Sequence, residues 1–398
     1  MMTEYRPLSI YIHVPFCVRK CYYCDFLSAP AGEEQKKRYT DCLIAEITWE
    51  AARYRDYEVQ TVFIGGGTPS LLPAEEIRRI ITAVFTSFQT GKEPEITIEV
   101  NPGTVSREKL TAYREMGINR LSIGLQSADN EELRLLGRIH TAEDFEKTYS
   151  SAVKSGFNNI NVDLMSAIPS QSPESYRETL RKVLSLTPRP SHISAYSLII
   201  EEGTPFYEHT PELPDEETDR LLYKMTGDIL KENGYHRYEI SNYARAGFEC
   251  RHNKVYWQRG DYAGFGIGAA SLIRNVRFHN CREIGKYMEE IEKCQERKRF
   301  DSLSLKEEIQ PLSLAEQMEE YMFLGLRLTE GVSLRAFWNC FGKRLEEVYP
   351  NLLEKLTGEG LVRSFRDSRS GEERIALTEF GLDVSNTVMV QFLLDKTI

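Results

Sequence analysis

The 398-residue sequence contains no run of some twenty apolar residues, which excludes a helix able to span a bilayer. Its start, Met1-Met2-Thr3-Glu4-Tyr5-Arg6-Pro7, lacks the charged and apolar regions of a secretory leader, so a cytoplasmic location is expected. Positive charge is not in excess: 50 Lys and Arg stand against 60 Asp and Glu, a net charge of −10. The electrostatic footprint of a nucleic-acid binder is missing, and no nucleic-acid partner is expected. Five of the eight cysteines, Cys42, Cys250, Cys281, Cys294 and Cys340, are scattered without a disulfide-like framework. In a reducing compartment most of them read as small buried hydrophobes. The remaining composition, 41% hydrophobic and 28% charged, is that of a globular chain. Its length allows one large α/β domain and a smaller one.

The other three cysteines carry the main signal. Cys17, Cys21 and Cys24 stand in a C-x3-C-x2-C spacing directly after the apolar run Leu8 to Val14. Thiolates this close in sequence can converge on one soft metal centre, zinc or iron–sulfur. A structural zinc site closes its tetrahedron with four protein ligands. No fourth Cys or His follows nearby, and Phe26 stands where a further Cys would continue the pattern. The favoured reading is a [4Fe–4S] cluster on three thiolates, with one iron open to a small ligand. A closed zinc site with His13 as fourth ligand is the first alternative, and a chance grouping of thiols the second.

Strand-like and helical segments then alternate. After Leu8 to Val14 come a helix from about Glu33 to Tyr54, the strand Thr61 to Ile64, and a helix from Pro73 to Phe88. The strand Glu95 to Val100 precedes a helix from Ser106 to Met116; Arg120 to Gln126, Asn159 to Met165 and His192 to Leu198 are further strands. Six such units predict parallel βαβ packing and a partial, six-stranded (β/α)6 barrel, since two more units for closure are not found. The strands alternate. Ile10, Ile12, Ile96, Ile98, Leu121, Ile123, Leu125, Ile160, Val162 and Leu164 share one face. Tyr11, His13, Thr97, Glu99, Ser122, Gln126, Asn161 and Asp163 share the other. A lumen lined by hydroxyls, amides and carboxylates holds a polar ligand or trapped water. Glu99, Gln126 and Asp163 lie toward the strand ends where barrel enzymes place their chemistry.

Gly65-Gly66-Gly67-Thr68-Pro69 follows the second strand. It is neither a P-loop nor a dinucleotide fingerprint. Such glycines let backbone approach a ligand, or simply make a tight turn. Together with the cysteine triplet, the segment resembles the radical S-adenosylmethionine (SAM) superfamily. Within it the resemblance is to the coproporphyrinogen-oxidase-like branch, carried by residues 11–17, 65–69 and 98–102, Ser122 to Ser127, Leu136-Gly137-Arg138, Asn161 to Met165 and Gly264 to Ala269. The resemblance implies that SAM chelates the open iron. It also implies that Tyr11, Tyr23, Gly66, Gly67, Thr68, Glu99, Gln126, Arg138, Asp163, Ser197 and Ala270 line the SAM.

Two departures separate this chain from the oxygen-independent coproporphyrinogen III oxidases. They carry a further Cys where Phe26 stands, and this chain adds the H-N-x-x-Y-W segment His252-Asn253-Lys254-Val255-Tyr256-Trp257. That combination resembles the heme chaperones related to those oxidases. Physically, His252 can serve as an axial ligand to heme iron, with Asn253 orienting the ring, Tyr256 and Trp257 facing the porphyrin, and Arg245, Arg251 and Arg259 near the propionates. The competing reading is a bonded histidine in an aromatic cluster; Cys250 is a lesser candidate for iron.

The resemblance implies a carrier that binds cluster, SAM and heme and passes heme to respiratory or cytochrome-type acceptors. Cluster and SAM would favour homodimerisation or docking, and any membrane contact would run through a partner. The alternative is a coproporphyrinogen III oxidase or another SAM-cleaving radical enzyme. Three domains are expected: the barrel over residues 1–235, an extension over 236–300, and a mostly helical, winged-helix-like unit over 301–398. In the last, helices are expected from Ser313 to Leu328, Ser333 to Phe341 and Arg344 to Thr357, before a hairpin with a charged tip. Its mixed charge argues for a lid or protein-docking role rather than DNA binding.

Overall fold

Six stretches with alternating apolar residues pair side by side as parallel strands: β1 (Arg6–Val14), β2 (Tyr57–Gly66), β3 (Thr90–Val100), β4 (Arg120–Gln126), β5 (Ile160–Ser166) and β6 (His192–Ser197). The computed structural model describes residues 5–299, 301–368 and 370–394. Helices α1 (Glu33–Glu50), α2 (Ala74–Ser87), α3 (Arg107–Glu115), α4 (Asn130–Leu135), α5 (Ala142–Lys154) and α6 (Pro173–Ser185) connect the strands. The apolar strand face packs on these helices; Ile10, Ile98, Ile123 and Val162 are fully buried. Each such side chain contributes about 1.5–3 kcal/mol. Helix spacing matches: Ile77, Ile80, Ile81 and Val84 of α2, and Tyr176, Thr179, Leu180 and Val183 of α6, form one buried stripe each. Side-chain caps fix the starts, with Ser106 accepting from Lys109 N and capping boxes at Thr141–Asp144 and Ser172–Ser175.

Beyond β6 the chain forms α7 (Pro205–Glu208), α8 (Glu216–Glu232), β7 (His236–Arg237) and β8 (Asn242–Ala244). It continues through α9 (Arg251–Trp257), β9 (Tyr262–Phe265), β10 (Ala270–Ile273), β11 (Val276–Asn280), α10 (Ile284–Arg297) and β12 (Lys306–Pro311). Strand β8 joins the sheet antiparallel to β6, whereas β9 joins the opposite edge parallel to β1. The order β12-β11-β10-β9-β1-β2-β3-β4-β5-β6-β8-β7 never closes on itself. The partial barrel is therefore as expected, but six further strands extend it. Helix α9 lies in the chain between the two edges and packs on β2.

The last part has its own core, including Met322, Leu326, Phe337, Leu356, Val388 and Phe392. Here α11 (Leu314–Gly325), β13 (Val332–Ser333) and α12 (Leu334–Phe341) precede a helical pair. The single helix expected from Arg344 to Thr357 is broken into α13 (Leu345–Val348) and α14 (Leu352–Gly358). Pro350 cannot donate to a continuing helix, and Asn351 turns the chain at φ 63°. Strands β14 (Val362–Arg366) and β15 (Glu373–Leu377) make the expected hairpin, and β13 pairs with β15 to complete the wing. Among the described residues no helix is long and apolar enough to cross a membrane.

Candidate functional site

The loop from β1 to α1 carries the three cysteines and is tied down on both sides. Cys17 N donates to Ala29 O and Ala29 N to Pro15 O, closing its base. Tyr22 N donates to Leu136 O, Phe206 N to Tyr22 O, and an Arg19 Nη2 donates to Gly137 O. So held, Cys17, Cys21 and Cys24 line one cavity of about 330 Å³ at the C-terminal ends of the strands. All three thiols are free, and burial pushes those of Cys17 and Cys24 upward.

The cavity is walled by loop residues together with the strand residues that alternation turned inward. Tyr23, Gly66, Gly67, Thr68, Glu99, Gln126, Arg138 and Asp163 all reach it. Glycine is required at two places here. Gly66 sits at φ 116°, and a side chain on Gly67 would meet the Phe16 carbonyl oxygen at 2.6 Å. Glu99 Oε2 accepts from Gly66 N (3.1 Å); burial, aided by the neighbouring Asp163 charge, raises its carboxyl to about 8. Asp163 accepts from Ser122 Oγ (3.0 Å) and Asn161 Nδ2 (2.7 Å), and burial raises it too. Arg138 donates to Asn101 Oδ1 (2.7 Å) and Gly124 O (3.0 Å) and brings Nη1 within 3.8 Å of Cys21 Sγ. Two half-buried carboxyls beside three thiols and a guanidinium suit a ligand with a cationic and an anionic end.

Three expected residues are elsewhere. Tyr11 lies deeper, stacked near Phe63 with its hydroxyl on His13 Nδ1 (3.1 Å). Ser197 has the opposite parity to the inward Tyr196 and donates to Asp219 Oδ1 (2.6 Å). Ala270 is exposed on β10, opposite His279. Sequence reasoning missed Arg19, Lys20, Asn101, Met165 and Tyr196 as lining residues. Strand parity alone would have found Tyr196.

The H-N-x-x-Y-W segment forms α9 and sits at the other end of the lumen. His252 Nδ1 meets Thr61 Oγ1 (2.7 Å), six residues before Gly67 on the same stretch, or ~20 Å at strand rise. Thr61 donates to Ser9, so Nδ1 is the donor to Thr61 and Nε2 accepts from the Tyr256 hydroxyl (2.8 Å). Burial, then the Arg120 charge, lowers the imidazole to about 3, so it is neutral. Both ring nitrogens are used: in this structure His252 is the bonded histidine of an aromatic cluster with Phe63 and Tyr256. Tyr256 packs edge-on against Tyr262, and Arg327 covers the Trp257 ring. Arg251 donates to Glu93 O, and Arg259 pairs with Glu320.

His13 is likewise occupied, its Nε2 on Leu27 O (2.8 Å). Among the described residues no three His, Cys, Asp or Glu side chains gather closely enough for one metal ion. His13, the fourth ligand of the zinc alternative, is already bonded to Leu27. A cube instead gives each thiolate its own iron.

Comparison with known proteins agrees. The Radical SAM superfamily model matches residues 11–183, and the HemN C-terminal domain model residues 312–369. The heme chaperone HemW of Lactococcus lactis is 34% identical over 397 residues, 98% of this chain and 98% of that protein. The chain belongs to the HemW family of radical SAM proteins. The Escherichia coli HemW is 40% identical over 299 residues, covering 72% of this chain and 79% of its own. In fold, the chain is similar to the Escherichia coli coproporphyrinogen III oxidase HemN, with TM-score 0.81 at 24% identity, over 98% of this chain and 90% of that one. Family membership implies a [4Fe–4S] cluster and SAM, and the donor set around the cavity fits both.

Proposed function

We propose that this chain is a heme chaperone: it holds a [4Fe–4S] cluster and SAM at the barrel mouth, binds heme, and passes it to cytochrome-type acceptors. The observation that carries this reading is the end-to-end similarity to proteins named heme chaperone, at 34% identity over 98% of both chains. Phe26 in place of the extra oxidase cysteine agrees with it. Cys17, Cys21 and Cys24 would hold the cluster. Glu99 and Asp163 would face the cationic groups of SAM, and Gly66, Gly67, Thr68 and Arg138 its carboxylate end. When bound, cluster and SAM supply one-electron chemistry at the sulfonium. The chain's own residues shield that site from water, and Arg138 places a cation beside Cys21.

His252 remains the proposed heme ligand, with Asn253, Tyr256 and Trp257 around the macrocycle. Its neutral ring is the ligating form, and Nε2 carries the lone pair once Tyr256 leaves it. Under this reading the barrel (1–235) carries the cofactors, the extension (236–300) the heme segment, and the unit 301–398 docks an acceptor in the cytoplasm.

The second reading, a SAM-cleaving radical enzyme such as a coproporphyrinogen III oxidase, is favoured by the completeness of the SAM cavity. One experiment separates the two. The cluster is reconstituted anaerobically, hemin is titrated into wild type and His252→Ala, and coproporphyrinogen consumption is followed in parallel. Tight hemin binding that weakens in the variant, without turnover, is expected. Turnover with hemin binding indifferent to His252 would overturn the proposal.

A further inference from the structure

The cofactor cavity and the H-N-x-x-Y-W helix occupy opposite ends of the lumen, and His252 is only 1% exposed. Heme iron can reach Nε2 only if α9 moves. Its apolar anchorage is modest: His252 is its one buried side chain, and Val255, Tyr256 and Trp257 are partly exposed, held at the rim by Tyr262, Arg327 and a Lys254–Glu330 ion pair. Segments with few buried apolar contacts open most easily. Helix α9 also lacks a side-chain cap of its own. Its first amides are taken up by Glu95, which projects from β3 into the lumen and is itself buried. Glu95 Oε1 accepts from His252 N (3.0 Å), Oε2 from Arg251 N (3.1 Å), and the Cys250 thiol lies 3.6 Å from Oε1.

The flanks are turns. Gly247 stands at φ 83° with open space around it, and Arg259 at φ 56° precedes Gly260. Beneath the helix lies a cavity of about 390 Å³, lined in part by Ser9, Thr61, Arg251, Lys254 and Val255. The helix therefore has a free turn at its start, a turn at its end anchored by Arg259 to Glu320, and room on one side. We infer that α9 is a flap over the barrel floor, that Glu95 is its latch, and that release of this latch exposes His252. Glu95 acts through α9 and so is a positioning residue. The heme part of this inference rests on the function proposed above, whereas the latch is a property of the fold.

The test is hydrogen–deuterium exchange on the full chain, comparing wild type with Glu95→Gln, whose amide can accept only one of the two N–H groups. Losing a charge-assisted hydrogen bond speeds exchange of the 250–257 amides about tenfold or more, while the amides of α6, which does not touch Glu95 or its charge partner Arg120, stay unchanged. Stopped-flow mixing with hemin gives faster association in Glu95→Gln than in wild type, and the gain disappears in Glu95→Gln/His252→Ala. Thr61→Val, which frees Nδ1 without touching Glu95, gives a smaller rise in the same peptide. Unchanged exchange at 250–257 in Glu95→Gln, or a rise matched across the sheet, would overturn the latch. Faster exchange with hemin binding indifferent to His252 supports the latch and removes the heme ligand.

Discussion

Glu99 offers a quantitative handle on SAM binding. Its carboxyl sits at about 8 in the protein alone, because burial and Asp163 oppose its charge. To face an ammonium it must lose its proton. Below pH 8 SAM binding therefore expels a proton, and affinity rises with pH. The α-amino group of the ligand titrates near 7.7–8.0, so above pH 8 the ligand loses the charge that Glu99 is proposed to pair with. The product of the two ionised fractions peaks close to pH 8 and falls on both sides. It is about 20-fold lower at pH 6 than at pH 8, with about one proton released per SAM bound at the lower pH. Calorimetry on the anaerobically reconstituted protein, in buffers of different ionisation enthalpy, reads affinity and proton release together. Glu99→Gln removes the acid limb and weakens binding at pH 8 by about 1.5–3 kcal/mol, the worth of a charged hydrogen bond. An acid limb that survives unchanged in Glu99→Gln would refute the assignment of that proton to Glu99; Asp163→Asn then becomes the informative variant.

Three further outcomes are expected. Cys24→Ser loses the cluster chromophore and most of its bound iron after anaerobic reconstitution, while the far-ultraviolet circular dichroism of the apoprotein is unchanged, because Cys24 is only partly buried. Gly67→Ala pushes a methyl into the Phe16 carbonyl and costs about 1–3 kcal/mol in urea unfolding, with SAM affinity falling further than stability. Glu50→Ala strands the buried Lys306 ammonium, whose Nζ lies 3.0 Å from Glu50 Oε2, and costs about 3–5 kcal/mol; Glu50→Ala/Lys306→Met recovers much of it in the same urea assay.

The parts of this molecule that obey a local period were legible. Parity along β3, β4 and β5 separated Ile98, Ile123 and Val162 from Glu99, Ser122 and Asp163, and the structure keeps that division. Strand β9 escaped notice because four residues including Gly264 carry no period, and its pairing with β1 joins positions some 250 residues apart. The same limit applies to depth. Tyr11 has the parity of His13 but stands two residues lower, which removes it from the cavity. Glu95 looks like any strand carboxylate until the chain brings α9 onto it across more than 150 residues. The seat of His252 is half non-local: the helix's own Tyr256 supplies one bond, but Thr61 supplies the other from 191 residues away.

The lumen has an upper mouth at the C-terminal strand ends and a lower one at the N-terminal ends, and they need not open together. The upper is sheathed by the clamped cysteine loop; the lower is shut by seven residues of helix. If the floor opens as inferred, a ligand could enter there without disturbing the clamped cysteine loop at the far end.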